Sequence, residues 1–239
     1  MREKPTRPVA VDGGATHPAR QMAERVSLPE NEFYEFARRR MVESQLRLRG
    51  ISDQRVLDAM LRVPRHEFTP AQHRREAYED HPLPIGEGQT ISQPYMVAIM
   101  LDLLALKPSD KVLEVGTGSG YATALLAELA AEVVSVERHA TLADEARGVL
   151  GALGYKNVRV VAGDGSRGFP ASAPYDAILV SAGACEVPHA LVEQLAEGGR
   201  MIIPVGPGDS QQLQLIRVQN GQPRTTLREL CRFVPLVQE

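Results

Sequence analysis

Between residues 95 and 205 the sequence alternates between short apolar runs and longer amphipathic segments. The short runs predict buried β-strands and the longer segments predict α-helices. In chain order these are helix 95–106, strand 111–116, helix 120–131, strand 133–137, helix 140–152, strand 158–162, strand 176–182, helix 188–197 and strand 200–205. Strands and helices that alternate in this way form a mostly parallel sheet with helices on both faces. We therefore predict an α/β fold with a doubly wound sheet.

The segments on either side of this core have different patterns. Residues 1–30 are rich in proline and glycine and lack periodicity, which predicts a disordered tail. Two N-terminal helices are predicted, one over 31–48 and one after Ser52, followed by an ordered loop over 64–94. The first is expected to bury the apolar positions Phe33, Phe36, Ala37, Met41 and Leu48.

The C-terminal segment QQLQLIRV alternates polar and apolar residues, and Asn220 with Gly221 can form a tight turn. We therefore predict that an antiparallel pair of strands closes the sheet at one edge. The chain from 31 to 239 is then a single domain, with helices and a loop over 31–94 and the sheet over 95–239.

One turn in this pattern predicts a ligand site. In VLEVGTGSGY (112–121) a buried strand runs into Gly116, Gly118 and Gly120 and then into a helix, which places backbone N–H groups beside a ligand. A dinucleotide-binding turn needs its third glycine at position 121, where this chain has Tyr121. The pattern therefore disfavours the pyrophosphate of NAD, and with it an NAD-dependent dehydrogenase.

Acidic residues follow the next two strands of the predicted sheet. Ligands of open α/β sheets lie beyond the carboxyl ends of the strands, so these positions are informative. Glu137 ends the strand VVSVE, 21 positions after Gly116, where a carboxylate can accept hydrogen bonds from both hydroxyls of a ribose. Asp164 lies in a G-D-G turn and can accept from the exocyclic amine of an adenine. Each acid alone is also compatible with an ordinary structural role, but their order favours an adenine nucleoside ligand.

Several motifs resemble a known family. The segments VLEVGTGSGY, VVSVER, GDG, YDAILVSA and GGRMIIPVG resemble class I S-adenosylmethionine-dependent methyltransferases, which have a Rossmann-like fold. The segments RVLDAMLRVPRHEF, AYEDHPLPIGEGQTISQPYMVAIM and RFVPLV resemble the protein-L-isoaspartate O-methyltransferases. The resemblance covers roughly residues 36–237, and TISQPY is its most specific motif because methyltransferases in general do not carry it.

The resemblance implies an activity and a substrate. Members of this family transfer a methyl group from S-adenosylmethionine to the α-carboxyl of L-isoaspartyl residues in damaged proteins and peptides, and release S-adenosylhomocysteine. The ester then collapses to a succinimide, and hydrolysis of this ring returns some normal aspartate. The segment 31–94 would supply the substrate loop, and the sheet over 95–239 would bind the cofactor.

The resemblance also implies residue roles. Ser92 corresponds to the active-site serine, and Glu114 is expected to reach the cofactor's amino group, directly or through water. The terminal segment VPLV is expected to line the substrate cleft. Val97 stands where some members have a histidine, and the segment 181–186 lacks a proline common in the family, a departure expected to touch none of these roles. The cofactor-binding residues implied are Glu114, Gly116, Gly118, Ser119, Gly120, Glu137, Arg138, Asp164 and Gly165.

The chemistry of methyl transfer suits a serine at position 92. A carboxylate is already ionised at pH 7 and a sulfonium is a good leaving group, so the reaction needs placement more than a base. A hydroxyl can donate one hydrogen bond to the carboxylate, whereas Lys or Arg would hold the nucleophile too tightly. The alternative is that the Ser92 hydroxyl merely bonds to its own loop.

Composition and charge exclude other partners. A net charge of -3 and a pI near 6.1 give no general reason to bind nucleic acid or an anionic membrane, and the arginines at 38–40 are predicted to form a solvated helix face. Cys185 and Cys231 predict neither a disulfide nor a metal site. We therefore expect a cytoplasmic monomer. The three histidines of the loop region are expected at the surface: His66, His73 and His81.

Other functions stay open on the sequence alone. The same fold can methylate a different carboxylate, a small molecule or RNA, although the chain lacks a basic face. The glycine turn also fits a cofactor-binding protein without catalytic activity.

Overall fold

The computed structural model of the protein describes residues 29–208 and 210–237. The helices are α1 Glu30–Arg40, α2 Gln54–Arg62, α3 Pro94–Leu104, α4 Tyr121–Leu129, α5 Ala140–Ala152 and α6 His189–Glu193. The strands are β1 Leu83–Gly86, β2 Gln89–Ile91, β3 Lys111–Val115, β4 Glu132–Glu137, β5 Val158–Ala162, β6 Tyr175–Val180, β7 Leu195–Val205, β8 Gln211–Gln219 and β9 Gln222–Cys231.

Seven strands form one sheet in the order β5-β4-β3-β6-β7-β8-β9. The first five run parallel, and β8 and β9 add an antiparallel edge. The edge turns at Asn220 and Gly221, which both have positive φ. The predicted α/β class, the mostly parallel sheet and the antiparallel closing pair are therefore confirmed.

The two faces of the sheet are covered unequally. Side chains alternate along each strand, so Val112 and Val133 face a large apolar cluster that includes α2, α3, α4 and α5. Their neighbours Leu113 and Val134 face a smaller cluster under the short helix α6. Because both faces are covered, every residue of β3 after Lys111 and of β4 after Glu132 is buried, including the polar Glu114, Ser135 and Glu137.

The N-terminal helix differs from the prediction. Of the predicted helix over 31–48, only the part within α1, up to Arg40, is α-helical. The chain then continues as a π-helix over Met41–Leu46 and a 3-10 helix over Arg47–Arg49. These segments turn at different rates from an α-helix, so the buried face shifts to Val42 and Leu46, while Leu48 is 81% exposed. Phe36 also lies outside the buried stripe, so burial of these two positions was wrongly predicted.

Two other boundaries also differ. Helix 188–197 was predicted too long: α6 ends at Glu193, because the Gln194 side chain bonds to the backbone of Phe169, Arg167 and Ala190 and pulls the chain into β7. The predicted tail lies outside the described residues except for its last two, and helix α1 already begins at Glu30.

The region 64–94 is more structured than a loop. It contains two 3-10 segments, Arg65–Phe68 and Ala71–Glu76, and the antiparallel hairpin β1–β2. His66 was wrongly placed at the surface: its ring stacks on Tyr34 at 3.9 Å, and Nδ1 lies 2.8 Å from the Tyr78 hydroxyl. Burial lowers the pKa of His66, so this ring belongs to the packing of the N-terminal layer.

None of the described helices is long and apolar enough to cross a membrane.

Candidate active site

A cleft opens at the carboxyl ends of β3, β4 and β6, where ligands of open α/β sheets bind. The space between its walls is about 840 Å³, part of which is open solvent. The hairpin β1–β2 covers one side, since a Cβ added at Gly118 would lie 3.2 Å from Ile85. The lining residues are 89–92, Val97, 115–119, Tyr121, Ala122, 136–139, Gly165, 181–182 and 234–237.

The glycine turn forms the floor of this cleft. Gly116, Gly118 and Gly120 have φ values of 90°, 53° and 88°, which side-chain-bearing residues rarely adopt. Their N–H groups donate within the protein: Gly116 to Val136 O at 2.8 Å, Gly118 to Glu137 Oε2 at 2.8 Å and Gly120 to Thr117 O at 2.9 Å. A pyrophosphate would find these donors occupied and a carboxylate beside them. That the turn does not bind a dinucleotide stays a prediction.

Glu137 lies at the end of β4 and is 5% exposed. Oε2 accepts from the Gly118 N–H, and Oε1 accepts from the His139 N–H at 2.9 Å. Each carboxylate oxygen has two lone pairs, so both keep acceptor capacity on the side that lines the cleft. The residue thus fits a ligand that presents a pair of hydroxyls.

Glu114 does not line the cleft. It lies within β3 and is completely buried, because the strand turns its side chain toward α4. Oε2 accepts from Thr123 Oγ at 2.5 Å and from Ser135 Oγ at 2.6 Å, and Oε1 has no partner among the described residues. Burial raises the pKa of Glu114 to about 7. The expectation of a direct contact with the cofactor's amino group is therefore not met, and Glu114 supports the turn from behind through Ser135.

The other predicted cofactor residues fall into two groups. Ser119, Arg138 and Gly165 line the cleft. Asp164 precedes Gly165 without lining the cleft, and its Oδ1 accepts from the N–H and the hydroxyl of Ser166 at 2.9 and 2.7 Å. A contact from Asp164 to an adenine stays a prediction.

Gly165 packs closely behind the cleft, and a substitution there tests the packing. An added Cβ would lie 2.5 Å from Val115 Cγ1, and Val115 is buried and stiff. We expect Gly165→Ala to lower the free energy of unfolding by about 1–3 kcal/mol. Gly148→Ala is the matched control, since nothing lies within 4 Å of its added Cβ and it sits in α5. The control should gain up to about 1 kcal/mol in denaturant titrations; equal effects of the two substitutions would contradict this packing.

Ser92 follows β2 at the junction of two cavities. It lines the cleft and also a second cavity bounded by Pro82, Met96 and residues 230–235. Among the described residues the Ser92 hydroxyl has no hydrogen-bond partner, whereas the Ser92 carbonyl accepts from Arg65 at 2.8 Å. The structure therefore does not support the alternative in which the Ser92 hydroxyl bonds to its own loop.

The segment 181–186, whose departure from the family was expected to touch none of the assigned roles, borders the site. Ser181 and Ala182 line the cleft. Gly183 exchanges backbone hydrogen bonds with the C-terminal segment: its N–H donates to Val234 O at 2.8 Å, and its carbonyl accepts from Leu236 N at 2.7 Å. These bonds hold residues 234–237 against the cleft, which they line, and Val234 and Pro235 also line the second cavity described above. That this segment lines the substrate cleft stays a prediction.

The sequence analysis did not identify four residues that form or support the site: Thr117, Tyr121, Ser135 and Arg65. Thr117 lines the cleft and shares a 2.5 Å hydrogen bond with the buried Ser135, and Tyr121 lines the cleft below the turn. Arg65 is completely buried beside Ser92. The glycine motif signals Thr117 and Tyr121 by position, but nothing in the sequence distinguishes Arg65 from the surface arginines.

Within residues 29–208 and 210–237, no three His, Cys, Asp or Glu side chains are grouped so that they could hold a metal ion. Cys185 is exposed, Cys231 is partly buried, and both are free thiols.

Comparisons with known proteins place the chain in a family. Residues 37–239 match the family model described as protein-L-isoaspartate(D-aspartate) O-methyltransferase. A protein-L-isoaspartate O-methyltransferase of Koribacter versatilis is 54% identical over 209 residues, which cover 87% of this chain and 94% of that protein. One of Methanoculleus marisnigri is 55% identical over 201 residues, covering 84% and 91%.

Solved structures agree with this relationship. A protein-L-isoaspartate O-methyltransferase structure superposes with a TM-score of 0.75 at 32% identity, over 84% of this chain and 66% of that chain. A Plasmodium falciparum structure described as a putative protein-L-isoaspartate O-methyltransferase in complex with S-adenosyl-L-homocysteine gives a TM-score of 0.73 at 28% identity. The superposition covers 99% of that chain and 86% of this chain. The chain therefore belongs to the protein-L-isoaspartate(D-aspartate) O-methyltransferase family.

Proposed function

We propose that this protein methylates the α-carboxyl group of L-isoaspartyl residues with S-adenosylmethionine as donor, and that Ser92 positions the carboxylate. Membership of the family over most of the chain supports the reaction. The observation that carries the role of Ser92 is its hydroxyl, which has no partner among the described residues and lies where two cavities meet. One cavity takes the cofactor, and the other takes the peptide.

The cofactor residues fit S-adenosylmethionine. Glu137 accepts the two ribose hydroxyls, and the turn of Gly116, Gly118, Ser119 and Gly120 lets the methionine arm approach the backbone. This set suits a ligand without phosphates, since Glu137 places a negative charge beside the turn. Asp164 with Gly165 forms the adenine side, and Arg138 borders the ribose. Glu114 stabilises the turn through Ser135 and Thr117.

The chain's own residues perform the remaining work of placement. When bound, S-adenosylmethionine supplies a methyl group on a positively charged sulfur. Ser92 donates one hydrogen bond to one oxygen of the isoaspartyl carboxylate and leaves the other oxygen free to attack. No residue needs to remove a proton, because the carboxylate is already ionised. Residues 234–237 and the hairpin β1–β2 limit the access of water on two sides.

The substrate and its setting follow from the same observations. Both cavities are lined by Thr90, Ser92, Ser181 and residues 234–235, which offer hydroxyls and backbone groups, and the second cavity is also lined by Arg232. We infer main-chain recognition of isoaspartyl proteins and peptides, with broad tolerance of flanking residues. We also infer a monomer in the cytoplasm, supported by the two free cysteines and by a site built within one chain.

The experiment that tests the proposal uses methyl-labelled S-adenosylmethionine and two peptides that differ only in having isoaspartate or aspartate at one position. We expect base-labile methyl ester on the isoaspartyl peptide alone. Ser92→Ala should lower kcat/KM about 10- to 100-fold, since one hydrogen bond to a charged group contributes about 1.5–3 kcal/mol.

Ser44→Ala is the control, because this serine is exposed and its hydroxyl bonds only to Arg40 O on the N-terminal helix. Its rate should equal that of the wild type. A rate on the isoaspartyl peptide that Ser92→Ala leaves unchanged would disprove the role of Ser92. Labelling of neither peptide by a protein that still binds S-adenosylhomocysteine would move the substrate elsewhere.

A further inference from the structure

Arg65 is a completely buried arginine directly behind Ser92. It begins a 3-10 segment between α2 and the hairpin β1–β2. Its Nε–H donates to the Ala77 carbonyl at 2.6 Å, and Nη2 donates to the Ser92 carbonyl at 2.8 Å. Its guanidinium carbon lies 4.8 Å from the centre of the Tyr121 ring. One planar group thus joins the segment of Ser92 to the helix that follows the glycine turn.

The charge of Arg65 is not balanced by an ion pair. No carboxylate lies within 4.0 Å of it among the described residues, and the buried Nη1 has no hydrogen-bond partner there. Burial lowers the pKa of Arg65 to about 10, so the side chain stays charged at neutral pH. Burying a cation without a carboxylate partner is costly, and the groups that offset this cost are the Ala77 and Ser92 carbonyls and the Tyr121 ring. The guanidinium is therefore tied directly to the main chain of Ser92.

A lysine at position 65 could not make the contacts that the Arg65 guanidinium makes. The guanidinium has a fixed planar fork that holds two carbonyls and stacks on a ring, whereas an ammonium is a point charge on a flexible stem. Because the Ser92 carbonyl is one of the two acceptors, the fork sets the peptide plane immediately after the serine. This hydrogen bond therefore restrains the main chain at Ser92.

We propose that Arg65 is a positioning residue for methyl transfer, which fixes the main chain of Ser92 against Tyr121 so that the serine hydroxyl points at the substrate carboxylate. This inference rests on the role proposed above for Ser92. Arg65 acts through Ser92 and does not touch the reacting groups. Its contribution should therefore disappear when the Ser92 hydroxyl is absent.

A double-mutant cycle tests this dependence. Arg65→Lys is introduced into the wild type and into Ser92→Ala, and kcat on an isoaspartyl peptide is measured together with the Kd for S-adenosylhomocysteine. We expect kcat to fall about tenfold in the wild-type background and less than about twofold in Ser92→Ala. The Kd should change less than about threefold, because the fork holds the serine and not the cofactor turn.

Arg55→Lys is the matched control. Arg55 also donates to two carbonyls, Leu106 O and Leu129 O, both at 2.6 Å, but it contacts neither Ser92 nor the cleft. Its kcat should stay within about twofold of the wild type at a temperature well below Tm. Arg65→Gln is the second variant, which retains an amide donor without the charge and should show the same dependence on Ser92.

Each of the following outcomes would overturn the inference that Arg65 positions Ser92. Equal losses of kcat in the two backgrounds would make Arg65 purely structural, while the role of Ser92 would stand. An unchanged rate in Ser92→Ala alone would disprove the role of Ser92 and this inference with it. Loss of cooperative unfolding in both Arg65 variants would assign the residue to stability alone.

Discussion

Replacing Glu137 with alanine is expected to raise the Kd for S-adenosylhomocysteine at least about a hundredfold. Two hydrogen bonds from ribose hydroxyls to a carboxylate contribute about 1.5–3 kcal/mol each, and alanine removes both. In the unsubstituted protein the N–H groups of Gly118 and His139 donate to the two carboxylate oxygens of Glu137. The substitution leaves both N–H groups without this acceptor. We therefore expect the substitution to weaken both the turn and the proposed contact with the ribose. Isothermal titration calorimetry with S-adenosylhomocysteine measures the change directly.

Glu132→Ala is the control for this experiment. Glu132 begins the same strand, β4, but is exposed at the opposite end, so its Kd should equal that of the wild type. Glu137→Gln separates the two effects, because the amide can accept from one N–H but presents a donor to the other. We expect an intermediate Kd. A Kd for Glu137→Ala within about threefold of the wild type would show that the ribose is held elsewhere.

The parts of the fold that the sequence predicted are those that depend on local periodicity. Helix α5 and strand β5 match the predicted bounds, because each is bounded by a clear change of pattern. The carboxyl ends of parallel strands meet at one edge, so the glycine turn and Glu137 could be brought together from the sequence. Ser92 entered only through its resemblance to the family.

The parts that were missed depend on contacts between distant residues. The π-helix over Met41–Leu46 buries Met41, Val42 and Leu46, a departure from α-helical geometry that the sequence spacing did not predict. Helix α6 ends where Gln194 bonds to a loop 25 positions away. The residues next to Arg65 in the sequence do not distinguish it from a surface arginine. In the fold, Ser92 after the hairpin β1–β2 and Tyr121 of α4 contact its side chain. Glu114 could be assigned to the correct strand but not to the correct side of it, since both faces of this parallel strand are buried.

Glu114 gives the second large effect, on stability. The carboxyl has a pKa of about 7 in the folded protein against 4.5 ordinarily, and the main cause is burial. Hydrogen bonds from Ser135 and Thr123 oppose this rise, and the nearby Glu137 charge adds to it. Between pH 4.5 and 7 the folded protein therefore holds a proton that the unfolded chain has released.

The sign of the pH dependence follows from this difference. Because the folded state binds more protons, the free energy of unfolding falls as the pH rises from about 4.5 to about 7, and it stays lowered above pH 7. The difference between the two pKa values corresponds to about 3 kcal/mol. Glu114→Gln has nearly the same shape and cannot ionise, so it should lack this loss. We expect the variant to gain up to about 3 kcal/mol on the wild type between pH 5 and pH 8.

Urea titrations at several pH values measure this gain, with Glu132→Gln as the control on the exposed end of β4. Below about pH 4.5 the carboxyl of Glu114 is protonated in both the folded and the unfolded protein, so the comparison there isolates the cost of placing an amide beside the unpartnered position of Oε1. A free-energy difference between variant and wild type that is the same at pH 5 and pH 8 would mean that Glu114 ionises normally. The carboxyl behind the glycine turn would then have to be hydrated, and a water-mediated contact from Glu114 to the cofactor would regain support.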